Sequence, residues 1–392
     1  MMRAGIAFLV LAYVLSQFYR AFLAVLSPVL IVEIGASTGD LARASGLWFV
    51  AFALMQLPVG WALDHLGPRR TAASLFLIGG AGGAGVFAMA QGPGAITVAM
   101  ILIGIGCAPI LMATYFIFAR AFSAAVFGTL AGVTVGLSSL GNILSAAPLA
   151  YLIKGFGWRA TVGGFAVLTA VIALAIAVLV RDPPKPEGEA TGSLMDLLRM
   201  PQLWPILVMM FICYAPAAGL RGLWISPYLG DRFGADLGQL GMAALVMGLA
   251  MVAGNFLYGP ADRIWGSRKR PIVIGNTVVA LLCLSFWAMP PSGLWAAVAV
   301  FALIGLFGAS YPIVISHGRS FCPPHLTGRG VTLLNLFGMG GAGVMQFASG
   351  PTYAALAQTR APAEAYGALF GLIGLAILAG LTLYLWAKDS TG

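Results

Sequence analysis

The sequence predicts an all-α membrane protein of twelve transmembrane helices, arranged as two similar six-helix bundles. Its composition, the spacing of its apolar runs and a set of repeated motifs support this fold class. Of the 392 residues, 60% are hydrophobic and only 8% are charged, whereas soluble domains carry about 25% charged residues. The chain is therefore best divided by the roughly 20 residues that one membrane helix needs.

Apolar runs separated by charges or by Gly/Pro turns predict the individual spans. The first run lacks a small-residue cleavage site and is too long for a signal peptide, so we expect it to be retained. The polar segment 181–200, "RDPPKPEGEATGSLMDLLRM", is typical of a cytoplasmic linker and separates two bundles at 1–180 and 201–392. The spans are predicted near 5–33, 44–66, 71–91, 95–119, 125–153, 159–180, 203–229, 237–261, 271–290, 293–317, 330–356 and 365–387.

The basic residues predict the orientation. With the N-terminus inside, fourteen Lys and Arg residues fall on the cytoplasmic side and five on the other. We therefore expect both termini inside, in a multi-pass protein of the cell inner membrane. The lipid bilayer accounts for the net charge of +9 without a nucleic acid, and we expect a monomer.

Catalysis and metal binding find little support in the sequence. The four cysteines are scattered, with no CxxC pair, which argues against a disulfide or a metal site. The stretch "GMGGAG" at 338–343 fits a dinucleotide-binding pattern but lies inside a predicted span, where small residues serve helix packing. No hydrolytic triad or nucleotide-binding loop is present, so we expect neither an enzyme nor a cofactor.

Three pairs of residues recur at nearly one offset. Asp64 in "GWALDHLGPRR" and Asp262 in "GPADRIWGSRKR" are 198 positions apart, and Arg120 and Arg319 are 199 apart. A third pair, Arg20 and Arg221, is 201 apart and lies within predicted spans. This regularity predicts a duplicated six-helix unit, as found in secondary transporters.

At its first loop motif the chain resembles the major facilitator superfamily (MFS). The resemblance implies two pseudo-symmetric bundles, rocker-switch alternating access and a gating role for the loop, although the basic pair could instead serve only to set the topology. In the second half a tyrosine, Tyr258, stands where the first glycine would fall. The motif residues are Gly60, Asp64, Gly67, Arg69 and Arg70, with Asp262 and Arg268 in the second copy.

Arg20 and Arg221 are the strongest candidates for substrate binding. A charge in a membrane span costs roughly 2.5–3.5 kcal/mol on insertion scales and therefore needs a partner or a function. The twelve acidic residues all fall in loops or near the ends of predicted spans, away from these arginines. Anion binding and a structural role both remain open for the pair.

The arginine pair is similar to one in the organophosphate/phosphate antiporters of this superfamily, which hold phosphate between arginines on the first and seventh helices. Here the fifth span has no histidine and no span core has a lysine. A carboxylate or another small anion fits as well as a phosphate, since a guanidinium grips either in a bidentate way.

Polar and aromatic residues inside otherwise apolar spans could line a cavity or could equally connect helices. Tyr19 and Trp224 rank first because they adjoin the arginines in sequence. His317 could titrate in a proton-linked step or could lie at the membrane interface. The other candidates are Gln17, Tyr115, Asn142, Tyr214, Asn255, Tyr311, Asn335 and Gln346.

The sequence therefore favours a secondary transporter of a small organic or inorganic anion, working by exchange or by proton coupling. A drug/proton efflux transporter is an alternative, because "LGNILSAAP" at 140–148 is similar to the antiporter motif of the fifth helix. A permease for a soft metal or another small solute, and a non-transporting receptor on the same fold, are further alternatives.

Overall fold

The computed structural model describes residues 2–122, 124–183, 194–323 and 326–389. Most of these residues are helical and none forms a β-strand, which confirms the predicted all-α class. Ten helices are long and apolar enough to cross a membrane, and two bent helix pairs bring the number to twelve if each counts as one. Numbered in chain order, spans 1–12 are Ala4–Tyr19 with Phe22–Ile34, Thr38–His65, Pro68–Ala88, Pro93–Phe118, Val133–Leu144 with Ala147–Phe156, Trp158–Leu179, Pro201–Phe233, Leu237–Tyr258, Lys269–Ala288, Leu294–Arg319, Arg329–Ala357 and Pro362–Tyr384.

Span 2 begins six residues earlier than the sequence predicts, because a polar turn starts it. The Ser37 hydroxyl accepts the Asp40 backbone N–H at 3.1 Å, and the Asp40 carboxylate accepts the Ser37 N–H at 3.1 Å. This capping box satisfies backbone donors that the first helical turn leaves open. Asp236 and Gln239 form the same box before span 8, so the two starts correspond.

The chain divides into two compact units, Met1–Gly188 and Glu189–Gly392, which we call the N-unit and the C-unit. The segment predicted as a linker contains a short helix, Leu194–Leu198. Leu197 of this helix is buried, so the end of the linker is part of the packed C-unit.

Helices within each unit approach closely at glycines. A side-chain carbon added at Gly106 of span 4 would lie 2.0 Å from the backbone nitrogen of Gly80 in span 3. At Gly254 of span 8 it would lie 2.2 Å from the carbonyl oxygen of Leu306 in span 10. Direct backbone contact of this kind is how membrane helices gain packing energy without a hydrophobic driving force.

An acidic side chain near the end of the first span of each unit accepts a hydrogen bond from the start of the last span. In the N-unit the Trp158 indole N–H donates to Glu33 at 2.6 Å. In the C-unit the Tyr366 hydroxyl donates to Asp231 at 2.5 Å. We call these contacts the acid–aromatic clamps; they fasten span 1 to span 6 and span 7 to span 12.

Candidate functional site

Both candidate arginines lie where the helical backbone is irregular. Arg20 falls in the break between Tyr19 and Phe22, where the two helices of span 1 meet at 46°. Arg221 lies in the π-helical turn Leu220–Trp224 of span 7. Isolated π turns are rare and are found frequently at functional sites. The two units therefore share an arginine at a break, although the breaks differ in kind.

Arg20 is held against aromatic rings of span 2. Its Cζ atom lies 4.9 Å from the ring centroid of Phe52 and 5.6 Å from that of Trp48. Both rings are buried, so these cation–π contacts are shielded from water, where they are strongest. Helix Thr38–Leu54 thus fixes the position of the guanidinium.

Arg221 is the more deeply buried of the two arginines, with 4% of its surface exposed. Its guanidinium lies against the backbone of span 8 at Gly248. A carbon added at Gly248 would stand 3.2 Å from the Arg221 Nε and 3.3 Å from Nη2. The absence of a side chain at that position is therefore what gives the guanidinium its room.

The aromatic neighbours of the arginines are hydrogen-bonded inside their own units. The Tyr19 hydroxyl lies 2.9 Å from Thr169 Oγ1 in span 6, and the Trp224 indole N–H donates to Ser349 Oγ in span 11 at 2.9 Å. Both side chains are buried. Tyr19 therefore connects the irregular backbone beside Arg20 to span 6, and Trp224 connects that beside Arg221 to span 11.

The remaining polar candidates are spread over both units. The Tyr311 hydroxyl donates to Asn335 Oδ1 at 2.5 Å, which joins spans 10 and 11. Gln17 Nε2 lies 3.4 Å from the Tyr13 hydroxyl within span 1. Of the other four candidates, Tyr115, Asn142 and Tyr214 are half-buried in spans 4, 5 and 7, and Asn255 of span 8 is exposed.

His317 and Gln346 are buried in the C-unit and differ in their hydrogen bonding. The Tyr384 hydroxyl lies 2.7 Å from His317 Nδ1 and the Lys388 carbonyl oxygen lies 2.9 Å from Nε2. His317 therefore links span 10 to the chain after span 12. Gln346 is 1% exposed, and neither polar atom of its amide has a hydrogen-bond partner in the part of the chain that the structure describes.

The first loop motif is fastened by two aspartates. Asp64 Oδ1 lies 3.7 Å from Arg120 Nη2 at the end of span 4. Burial lowers the pKa of Arg120, and the Asp64 carboxylate partly counteracts this. The Arg69 backbone N–H donates to Asp182 Oδ1 at 2.7 Å. Gly60 and Arg70 also belong to the motif; Gly60 has open space where a side chain would stand, and Arg70 is exposed.

Gly67 makes the approach of Asp182 possible. Its φ of +88° lies in a region that side chains disfavour, and an added carbon would stand 2.9 Å from the Asp182 carboxylate. Asp182 thus accepts a backbone N–H in the first turn of span 3, where the helix dipole favours a negative charge. We call this contact the aspartate cap of the N-unit.

The second loop motif has an aspartate cap of its own. Asp389, which follows span 12, accepts the Lys269 backbone N–H at 3.1 Å and the Ser267 hydroxyl. The Lys269 ammonium donates to the Ala387 carbonyl oxygen at 2.8 Å. Asp262 pairs locally, with its Oδ2 3.6 Å from Arg268 Nε.

Neither aspartate cap is predicted from the sequence as a partner of the loops. Asp182 is 113 positions from Arg69, and Asp389 is 120 from Lys269. One signal was present in the sequence, since Arg181–Asp182 and Lys388–Asp389 are matching basic–acidic pairs just after the last span of each half.

Comparison with known proteins identifies the family. The model of the Major Facilitator Superfamily matches residues 9–345, most of the chain. The chain belongs to the major facilitator superfamily. Members of this superfamily are transporters rather than enzymes, so the protein is a membrane transporter, as the sequence predicts.

One curated relative within the superfamily is the probable sulfoacetate transporter SauU of Cupriavidus necator. It is 25% identical over 284 residues, which cover 65% of this chain and 64% of the relative. The match thus spans slightly less than two thirds of the relative's own length.

Solved superfamily structures share the fold over nearly the whole chain. A D-xylose–proton symporter has a TM-score of 0.78 at 15% identity and covers 98% of each chain. The nucleoside transporter NupG has a TM-score of 0.77 at 13% identity, covering 97% of this chain and 99% of its own. A bacterial homologue of the human lysosomal transporter Spinster has a TM-score of 0.74 at 16% identity, covering 97% and 96%. Similarity at these identities supports the fold alone.

Proposed function

We propose that this protein is a secondary transporter of small anions and that Arg20 and Arg221 bind the substrate. The observation that carries the proposal is the placement of both arginines: each lies at an irregular backbone turn of the first span of its unit. An arginine inside a membrane span costs free energy. Because both units carry this cost in their first span, a ligand that both arginines bind is the best explanation.

Carboxylates, sulfonates and phosphates are the ligand classes that fit. The guanidinium donors form a planar fork that binds two oxygens of such a group at once. Sulfoacetate, the substrate in the name of the relative, carries a carboxylate and a sulfonate, one for each arginine. The relative thus favours a small organic anion with two charged groups over a phosphate ester of the organophosphate antiporter branch.

Alternating access by a rocker-switch movement is the mechanism that we propose, with both termini in the cytoplasm of a monomer in the cell inner membrane. Closing an empty site would leave two arginines buried without an anion, at about 2.5–3.5 kcal/mol each. A total of about 5–7 kcal/mol slows empty return by roughly 10³- to 10⁵-fold. A bound anion removes most of this penalty, so exchange of one anion for another is favoured.

Proton-coupled drug export has less support. Each acidic residue in the described part of the chain lies within two residues of a span end, between spans or after span 12. His317, the proposed proton-linked residue, is held by Tyr384 and the chain after span 12. Proton symport would therefore need a carrier at a span end.

The experiment is uptake into proteoliposomes that contain the purified protein. The panel is sulfoacetate, succinate, acetate, inorganic phosphate, glycerol 3-phosphate and ethidium, each offered to liposomes with and without the same solute inside. We expect uptake of one or more anions, faster by at least tenfold with anion inside. Arg20→Gln and Arg221→Gln should each lower this uptake by about 100-fold or more, because the remaining arginine can hold only one end of the anion.

The matched controls are Arg43→Gln and Arg360→Gln, which remove the same charge from exposed positions of the N-unit and the C-unit. Both should transport at the normal rate. Uptake of ethidium alone would favour the drug-efflux alternative. Normal anion uptake by either site variant would overturn the proposal, as would equal loss in the control variants.

A further inference from the structure

We propose that Trp48 and Gly248 are positioning residues for the two substrate arginines and that they hold Arg20 and Arg221 in different ways. The inference rests on the proposed function, in which these arginines bind the anion. Trp48 and Gly248 lie in the corresponding spans 2 and 8. The capping boxes that start these spans, at Ser37 and Asp236, are 199 positions apart, whereas Trp48 and Gly248 are 200 apart. The two residues therefore occupy neighbouring positions of the two spans.

In each unit one of these residues contacts the arginine of the preceding span. Trp48 presents its ring to Arg20, with Cζ 5.6 Å from the ring centroid. Gly248 presents bare backbone to Arg221, with an added carbon only 3.2 Å from Nε. The second span of each unit thus touches the arginine of the first span, through the largest side chain in the N-unit and through bare backbone in the C-unit.

The distances at Gly248 show which part of the Arg221 guanidinium faces span 8. The added carbon would lie 3.2 Å from Nε, 3.3 Å from Nη2 and 3.6 Å from Cζ. A carbon above the guanidinium plane would be about as close to Cζ as to the nitrogens. Because Cζ is farther away, the Nε–Nη2 edge is the part that faces the backbone of span 8.

This orientation decides how Arg221 presents itself to the anion. With the side edge against span 8, the end edge formed by Nη1 and Nη2 is the fork that the anion takes in a bidentate grip. Arg20 is held by aromatic rings instead, with its Cζ 5.6 Å from the Trp48 ring centroid and 4.9 Å from that of Phe52. We infer that the two arginines hold the two charged groups of the substrate unequally.

The test substitutes Gly248 by alanine and measures the KM and kcat of uptake for whichever anion the panel identifies. The added methyl group is closer to the guanidinium than nine in ten such contacts in proteins, so Arg221 must move by a few tenths of an ångström. We expect KM to rise about tenfold with kcat changed less than twofold, because misplacing a group that holds the substrate lowers binding directly.

Gly340→Ala is the matched control, since it is the same change in a helix of the same unit with nothing within 4 Å of the added carbon. Its KM should stay normal. In an Arg221→Lys background, which lacks the Nε–Nη2 edge, Gly248→Ala should change KM less than twofold. A tenfold rise in that background would show that Gly248 does not act through the guanidinium.

A second pair of variants tests the N-unit and also serves if Gly248→Ala does not fold. Trp48→Phe keeps a ring beside Arg20 and should raise KM about threefold or less, whereas Trp48→Leu should raise it at least tenfold. Equal KM values for Phe and Leu would overturn the inference, as would a normal KM in Gly248→Ala. Normal uptake in Arg221→Gln would instead overturn the proposed function, so the two failures are distinguishable.

Discussion

The loop ends of the N-unit and the C-unit follow one plan with different amounts of support. In the N-unit Asp182 accepts the Arg69 backbone N–H and pairs with the Arg69 guanidinium at 3.7 Å, and it approaches closely because Gly67 has no side chain. In the C-unit Asp389 also receives the Ser267 hydroxyl, and Lys269 reaches the chain after span 12. The C-unit thus adds hydroxyl and ammonium contacts, whereas the N-unit depends on a close approach at Gly67.

The comparison shows which part of the duplicated design is essential. The loop sequences have diverged, since Arg69 is matched by Lys269 and the first glycine of the motif by Tyr258. The aspartate that accepts the backbone N–H of the third helix of each unit is present in both. A backbone donor does not depend on the side chain that carries it, so the cap survives substitutions that alter the motif.

The largest predicted effect separates Gly67 from Gly266, which both have positive φ angles. In Gly67→Ala the added carbon strains the backbone at positive φ and also clashes with the Asp182 carboxylate at 2.9 Å. An added carbon at Gly266 meets nothing within 4 Å. We expect Gly67→Ala to lose at least about 2 kcal/mol of stability and Gly266→Ala about 1 kcal/mol. Thermal unfolding in detergent measures both, and equal losses would show that the cap of the N-unit is not a close fit.

The second prediction compares the acid–aromatic clamps. Glu33→Ala and Asp231→Ala each remove the carboxylate that accepts a hydrogen bond from a buried donor, Trp158 or Tyr366. An unmet buried donor costs about 1–3 kcal/mol. We expect the melting temperature to fall by about 3–6 °C in both variants. Arg43→Gln removes one partner of an exposed surface ion pair; it is the control and should leave the melting temperature unchanged. A fall in melting temperature in only one of the two clamp variants would show that the two units are not equivalent.

The third prediction concerns the loss of stability at low pH. Burial raises the pKa of the Asp389 carboxyl, but the Ser267 hydroxyl and the Lys269 backbone N–H outweigh it and lower the pKa below its ordinary value. A lowered pKa in the folded state adds stability above the unfolded pKa and loses it as the pH falls through the folded value. Stability should therefore fall below about pH 4, and Asp389→Asn should flatten this fall in melting curves recorded from pH 6 to 3.

Asp389→Asn should also lower the melting temperature at pH 7 by about 2–4 °C. Ser267→Ala serves as its partner variant, because it removes one donor and leaves the carboxylate in place. An acid profile for Asp389→Asn as steep as that of the native protein would show that another group causes the loss.

The smallest stability effect is expected at Asp64 and Asp262. Asp64 is 63% exposed in its pair with Arg120, and exposed ion pairs contribute about 0–1 kcal/mol. We expect Asp64→Asn to leave the melting temperature within about 1–2 °C of the native value. The variant should lower kcat several-fold with KM unchanged, because Asp64 joins the loop to span 4 during the transport movement.

Asp262→Asn should lower kcat less than Asp64→Asn, since Asp262 pairs within its own loop. Proteoliposome uptake gives both constants. A normal kcat in Asp64→Asn would reduce the motif to a signal for topology.

Much of the fold could be predicted because apolar length alone identifies a membrane helix. The early start of span 2 could not, since Ser37 and Asp40 looked like loop residues until their mutual capping was seen. The arginines stood out because charge is rare in a span. Trp48 and Gly248 did not stand out, because a tryptophan or a glycine in a membrane helix is ordinary and its contact with an arginine depends on the fold.

The sequence did not predict the helix break beside Arg20. The first span reads as one apolar run, and nothing between Tyr19 and Phe22 is a helix breaker, yet the helix breaks there. Proline is the usual helix breaker, yet Pro28 lies inside the helix Phe22–Ile34. A break is decided by what the neighbouring helices offer the backbone, and that information is distributed over the rest of the unit.

The π turn Leu220–Trp224 also sets the angular phase of span 7. Each α-helical residue advances by about 100° and 1.5 Å, and a turn closed over five residues instead of four holds one residue more. Ala215–Gly219 and Ile225–Phe233 are therefore about 100° out of step with one continuous α-helix. A helical wheel drawn through all of span 7 assigns the wrong face to one of its ends, and deleting a single residue from the turn would restore a regular α-helix in which both ends keep their present faces.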